Sequence, residues 1–368
     1  MRILHIINSL GTGGAEKLLL DTLPLYQLRG HKVDLLLFTY NETPFLEELR
    51  RSAFSGKIYI PEWPNVYSPK NIGHIFNVLK REHYDIIHVH LFPPLYYTAI
   101  VKWLLPGHLK DTRLVFTEHN TENRRLNSPI YRQVDKIIYQ AFDKVTAITP
   151  QVKNALISKL GIKPSKIEVI YNGINLNKYQ STISSDIRGE LGLQDKKILI
   201  QVSRFTEQKD QKTVIRALRK LPNDYALLLV GDGSLRPECE IFAKEIGVAD
   251  RTYFLGVRMD VPTLLKSADI SIQSSHWEGF GLVAVEGMAA GKPVIASDVP
   301  GLAEIVKGNG LLFKPGDPDD LASRIVSLES PNLYDTLSQK SLSRCQDFGI
   351  DTMVTNMLNL YISLLNKE

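Results

Sequence analysis

Cysteine is almost missing from this sequence: 368 residues include only Cys239 and Cys345, far apart in the chain. That excludes a disulfide framework and any cysteine-built metal or redox motif, and two lone thiols fit a reducing cytosol. Long apolar runs are missing as well. The stretch "AIVKWLLPG" is short and broken by Lys102 and Pro106, so nothing reaches the length that crosses a bilayer. The opening "MRILHIINSLGTGG" lacks the cationic end, apolar core and small-residue cleavage site of a secretory signal. No low-complexity tract occurs. The expectation is a cytoplasmic protein.

What remains is ordinary globular material. Hydrophobic residues make up 43% and charged residues 23%, enough for packed cores, and 368 residues exceed one ordinary core, so two domains are expected. The net charge of +4 is unevenly spread. Residues 1–172 hold 22 Lys+Arg against 15 Asp+Glu, and the rest holds 22 against 25. A basic half suggests an anionic partner for that half.

The first half alternates short apolar runs with helical patterns. "RILHII", "KVDLLLF", "KIYI", "DIIHVHL", "RLVFTEH", "KVTAI" and "KIEVIY" read as strands buried on both faces. Segments such as "GAEKLLLDTLPLYQLRG" between them read as helices, which predicts βαβ units and a parallel sheet. From about Asn172 to Lys196 the periodicity lapses into a linker with one short helix. Strands "KILIQVS", "YALLLVG", "TYFLG", "DISIQS", "KPVIAS" and "GLLF" then restart the alternation. The predicted organisation is an α/β domain over 1–172, a second over 173–350, and a final amphipathic helix over 351–368. Two such sheets are expected to face each other across a cleft, with ligands outside the carboxyl ends of the strands.

Loops that follow strands are therefore where function is sought. After the first strand, Gly11, Gly13 and Gly14 lead into a helix whose N–H groups can meet a phosphate; the plainer reading is a tight turn. Glu16 stands where a dinucleotide fingerprint needs glycine, which disfavours nicotinamide. "FTEHN" puts Glu118, His119 and Asn120 at a strand end. His88 and His90 in "IIHVH" are read as pointing to different sides of the sheet and as structural or peripheral. In "QVSRFTEQKD", Arg204 and Lys209 suit a diphosphate, one as a planar fork and one as a point charge. "LLLVGDGSLR" adds Gly231 and Gly233, although Arg236 breaks the dinucleotide pattern there too.

The most informative stretch is "HWEGFGLVAVE". Glycines allow close backbone approach before a helix, and N–H groups near Phe280, Gly281 and Leu282 would point at an anion. Glu286 follows Glu278 by eight residues, just over two helical turns, so the two are expected on roughly one face. Carboxylates that grip vicinal hydroxyls, beside cations and a helix N-terminus, describe a nucleoside-diphosphate sugar. On that reading they bind and are not an acid/base pair.

With these segments in order, the chain resembles the retaining glycosyltransferases of family 4, of the two-domain GT-B fold. The resemblance rests on "GTGGAE", "TEHN", "VIYNGI", "SRFTEQK", "LLLVGDGSLR", "TYFLG" and "EGFGLVAVEGMAAGKPVIASDVPGLAEIV", and covers nearly the whole chain. The last carries the family's E-x7-E signature as Glu278 and Glu286. The resemblance implies that Gly13 and Gly14 approach the donor's phosphate or sugar and that His119 contacts the donor sugar. It implies that Arg204 and Lys209 neutralise the departing diphosphate and that Glu278 and the Phe280–Leu282 backbone hold sugar and phosphate. Glu286 would take the ribose hydroxyls, the backbone from Gly256 to Arg258 would frame the base, and Gly231 belongs to the same nucleotide-sugar site.

It further implies front-side displacement with retention and no metal or nicotinamide cofactor; "DPD" at Asp317–Asp319 is read as a helix cap. The donor is expected to be UDP-linked, with GDP-mannose second, and the acceptor a saccharide or a lipid-diphosphate-linked sugar. Between Lys102 and Lys166, 12 Lys+Arg against 5 Asp+Glu, interleaved with Trp103, Tyr131, Tyr139 and Phe142, suggest either an anionic membrane surface or a solvated basic face. The cations are dispersed and no reader motif occurs, so nucleic acid is not an expected partner. A nucleotide-sugar epimerase of the same architecture and a non-catalytic nucleotide-sugar-binding subunit are the alternatives.

Overall fold

A computed structural model describes residues 1–366 apart from 40, 64, 121–124, 126–127 and 184–185. The chain divides into two compact units, Met1–Gly173 with Ile350–Glu368, and Ile174–Gly349.

The first unit is built on a sheet in the order β3-β2-β1-β4-β5-β6-β7, every pairing parallel. Its strands are β1 (Arg2–Ile7), β2 (Lys32–Leu37), β3 (Ile58–Tyr59), β4 (Ile86–His90), β5 (Arg113–Glu118), β6 (Lys144–Ala147) and β7 (Ile167–Val169). All five residues of β4 are buried, as expected of a central strand covered on both faces. The helix Gly14–Leu28 lays Leu18, Leu19, Leu23 and Tyr26 into a core shared with Met353, Val354, Met357 and Tyr361 of the helix Ile350–Leu365. Each such fully buried aliphatic side chain contributes roughly 2 kcal/mol. Residues 367–368 of the expected last helix lie outside the described residues.

The second unit holds a parallel sheet in the order β10-β9-β8-β11-β12-β13. Its strands are β8 (Lys197–Val202), β9 (Tyr225–Val230), β10 (Thr252–Gly256), β11 (Ile270–Gln273), β12 (Val294–Ser297) and β13 (Leu311–Phe313). The strand order reverses between β8 and β11, so their carboxyl ends flank a topological switch point, the usual place for a ligand on an open α/β sheet. The first sheet reverses in the same way between β1 and β4. The expected linker with one helix is corrected: two short helices occur, Leu176–Gln180 and Ile187–Glu190, each capped by the side chain before it, Asn175 and Asp186. Each is anchored by one buried residue, Tyr179 or Ile187, too few for a sequence period to register.

Candidate functional site

The loop after β8 and the loop after β11 are stitched together. The Gln201 side-chain amide donates to the Lys209 carbonyl at 2.8 Å and to the Ser274 carbonyl at 3.4 Å. The His276 N–H donates to the Gln208 carbonyl at 2.9 Å, and the Gln208 amide donates to the Trp277 carbonyl at 2.9 Å. Gln211 holds the Arg204 carbonyl at 2.9 Å. Gln208 belongs to the "SRFTEQK" segment, whereas Gln201 and Gln211 lie outside it and no spacing in the sequence marks them.

The stitched loops bring Lys209 against Glu278. The ammonium donates to Oε2 in an ion pair whose side chains are only 17% and 14% exposed, while Gly279 N–H donates to Oε1 at 3.2 Å. Sequence reasoning gave the two residues separate duties and missed that they neutralise each other. Asp210, held in the left-handed region at φ +40°, caps the next helix through Thr213 N–H. Arg204 sits differently: it is exposed, and no ion pair engages its guanidinium among the described residues.

The helix Leu282–Ala289 starts beside this pair. Gly281 precedes it at φ +85° with no side-chain cap, and a Cβ there would lie 2.3 Å from the Leu302 Cδ2. Gly301, at φ +89°, presses equally closely on the Glu278 carbonyl. The two glutamates do not share a helix face: Glu278 precedes the helix and Glu286 lies inside it, 7% exposed. The glycines at 279 and 281 delay helix entry, which the simple spacing argument ignored. Phe280 is buried edge-on against Phe348, so its side chain belongs to the core.

Two further expected positions lie along the same sheet end. Gly231, after β9, has φ +125°, and a Cβ would fall 2.1 Å from the Ser203 carbonyl oxygen, so this glycine permits the backing of the Arg204 loop. Arg258, after β10, is gripped by Asp260 through bonds of 2.8 and 2.6 Å, which raises its pKa. Asp317 accepts from the Asp319 and Asp320 N–H groups at the head of the helix Pro318–Ser327, so "DPD" is a cap.

In the first unit, Gly13 stands before the helix Gly14–Leu28 in extended backbone without a side-chain cap. His119 follows β5, and burial pushes its imidazole down to about 4 although the residue keeps some exposure. Glu118 is not a ligand-facing group. It is buried, accepts from Tyr139 at 2.7 Å, and neighbours Arg125, which in turn neighbours Asp135 and lies over the Phe92 ring.

The reading of His88 and His90 also needs correction. Residues two apart in a strand share a face, and their rings lie 4.2 Å apart, with His5 of β1 beside both. Ring nitrogens of His5, His88 and His90 fall within 4.8 Å of one another. Both nitrogens of His88 are already engaged, by Tyr361 Oη at 2.5 Å and Thr117 Oγ1 at 2.6 Å. All three rings are buried, and burial holds them neutral, His5 at about 3.

Comparison with known proteins identifies the family of the chain. A family model described as Glycosyltransferase Family 4 matches residues 12–178, and one described as Glycosyl transferases group 1 matches residues 184–344. The N-acetyl-alpha-D-glucosaminyl L-malate synthase of Bacillus anthracis is 31% identical over 79% of this chain and 78% of its own length. The UDP-Gal:alpha-D-GlcNAc-diphosphoundecaprenol alpha-1,3-galactosyltransferase of Escherichia coli is 25% identical, covering 80% of each chain. The crystal structure of Anabaena HepE in complex with UDP and glucose aligns with a TM-score of 0.87 at 26% identity, over 99% of this chain and 100% of that one. From the family models that cover both halves and a relative of this identity, the chain belongs to the glycosyltransferases of family 4, with the GT-B fold.

Proposed function

We propose that this glycosyltransferase moves a hexosyl or N-acetylhexosaminyl group from a UDP-sugar to a glycan or lipid-diphosphate-linked saccharide, with retention and without a metal. The observation that carries the reading is the exposed Arg204 on the loop that also bears Lys209, whose ammonium pairs with Glu278 just ahead of an uncapped, glycine-led helix. The UDP-containing complexes of HepE and the UDP-galactose named for the Escherichia coli relative support the choice of base. In the step, the bond from sugar C1 to the β-phosphate oxygen breaks and a bond from C1 to the acceptor oxygen forms on the same face. The acceptor's proton passes to the departing diphosphate.

Stabilising that leaving group is the main task, and fixed cations with a helix N-terminus can do it. Arg204 meets the diphosphate directly. Lys209 exchanges Glu278 for a phosphate oxygen, which frees the Glu278 carboxylate to accept from sugar hydroxyls. The Phe280–Leu282 backbone faces sugar and phosphate, Glu286 takes the ribose hydroxyls, and the Gly256–Arg258 backbone frames the base. In the first unit, His119 contacts the sugar substrate, and Gly13 and Gly14 offer backbone to it.

The test is thermal unfolding with UDP, GDP, ADP, their sugar forms and NAD, each with and without EDTA. A ligand at a hundred times its Kd stabilises by about 2.7 kcal/mol. A shift with UDP that EDTA leaves unchanged and Arg204→Ala removes is the expected result. A shift with NAD alone, or with no nucleotide, overturns the reading.

We also propose that the first unit rests on an anionic membrane to reach a lipid-linked acceptor. No helix among the described residues is long and apolar enough to cross a membrane. The helix Pro129–Gln140 instead exposes Ile130, Val134 and Ile137 as one stripe, and Trp103 and Tyr131 are also exposed. Tyr139 and Phe142 are buried and drop out of the expected aromatic set, as does Arg125 from the surface cations. Arg124 lies outside the described residues.

A further inference from the structure

His119 ends a chain of imidazoles that runs into the first unit. Its Nε2 lies 3.3 Å from His90 Nδ1, and His90 Nε2 lies 3.1 Å from His5 Nδ1. The far end, His5 Nε2, is buried with no partner. The three rings are neutral, because burial depresses each below its ordinary value. A neutral imidazole carries one N–H and one lone pair, so a hydrogen-bonded chain of three has only two polarities.

If His119 donated inward, His90 would donate to His5 Nδ1, and the proton of His5 would sit on the buried, unpartnered Nε2. If the chain runs outward, His5 Nδ1–H donates to His90 Nε2 and His90 Nδ1–H donates to His119 Nε2. His5 then leaves only a bare lone pair unpaired. Orphaned buried N–H groups are the rarer and costlier case, so the outward polarity is favoured.

A neighbouring network shows the same kind of proton counting and does not compete for these nitrogens. Thr146 Oγ1 donates to the Phe116 carbonyl at 3.4 Å, so Thr117 Oγ1 donates to Thr146 at 2.5 Å. His88 must then donate Nε2–H to Thr117 and accept from Tyr361 at Nδ1. His88 is thereby fixed by hydroxyls and leaves His90 to His5 and His119.

We infer that His5 and His90 are positioning residues that lock His119 in the Nδ1–H tautomer, so that it serves its substrate as a hydrogen-bond donor and not as a base. Given the sugar contact proposed above, on which this rests, the atom it meets is a lone-pair oxygen of that sugar.

The test is nitrogen NMR of the full chain with 15N-labelled histidine, His119 being assigned by the signal lost in His119→Gln. The expected wild-type pattern shows the proton on Nδ1 of His119 and a pyridine-like Nε2. In His90→Phe, His119 is expected to shift toward the Nε2–H form, with kcat/KM lower by about tenfold. The proton on Nε2 of His119 in the wild type overturns the inference, whether or not His90→Phe folds. An unchanged His119 tautomer in a folded His90→Phe overturns it as well. Neither spectrum depends on nucleotide binding, so failure of the transferase reading would appear separately, in the thermal shifts.

Discussion

At the scale of single residues, the Lys209–Glu278 pair links stability to binding. Both side chains are largely buried, so removing one partner strands the other charge. Lys209→Met is expected to lower the unfolding free energy by roughly 2 kcal/mol, and Glu278→Gln to lower it similarly. The double variant should cost less than the two combined, as urea unfolding would reveal; simple additivity would mean that the pair does not interact. The buried imidazoles set a pH dependence. His5 and His119 fall to about 3 and about 4 in the folded chain from an ordinary 6.5, so their contribution is complete above pH 6.5 and is lost as pH falls. Buried Glu118 and Asp135 are pushed upward and act in the opposite sense. His5→Phe should therefore reduce the slope of stability between pH 6 and 4 by one proton, about 1.4 kcal/mol per pH unit. Parallel pH profiles for the two proteins would contradict this.

At the scale of elements, the candidate site depends on where loops are allowed to touch. Gly231→Ala would force a Cβ onto the Ser203 carbonyl oxygen in a backbone region reserved for glycine, and the Arg204 loop would have to move. We expect a loss of about 3 kcal/mol, with weaker UDP binding in the protein that still folds, measured by unfolding and by calorimetric titration. Gly281→Ala meets the end of the buried Leu302 side chain and not a backbone atom, but also suffers a positive φ. Its cost should be smaller, about 1 kcal/mol, and Leu302→Ala should relieve part of it. An unaltered UDP affinity in Gly231→Ala would detach that turn from the nucleotide site.

At the scale of the whole molecule, the exposed stripe of Ile130, Val134 and Ile137 leads to a prediction about surfaces. Co-sedimentation with vesicles containing anionic lipid should exceed that with neutral vesicles, weaken with salt, and fall at least tenfold in Val134→Glu. Binding that ignores lipid charge would leave the basic half without this role. The α/β class, the strands and the family were legible in the chain, because buried parallel strands are continuous apolar runs and because E-x7-E, with its glycines, is a local pattern. Local order also placed Arg204, Lys209, Glu278 and Glu286 after particular strands. Their partners were not legible. The Lys209–Glu278 pair, the Gln201 bond to the Ser274 carbonyl, and the His5–His90–His119 chain each join residues on or just after different strands. Periodicity and short motifs report what one segment can do with its own neighbours. Which strand lies beside which, and therefore which side chains share a buried volume, is decided only when the sheet assembles.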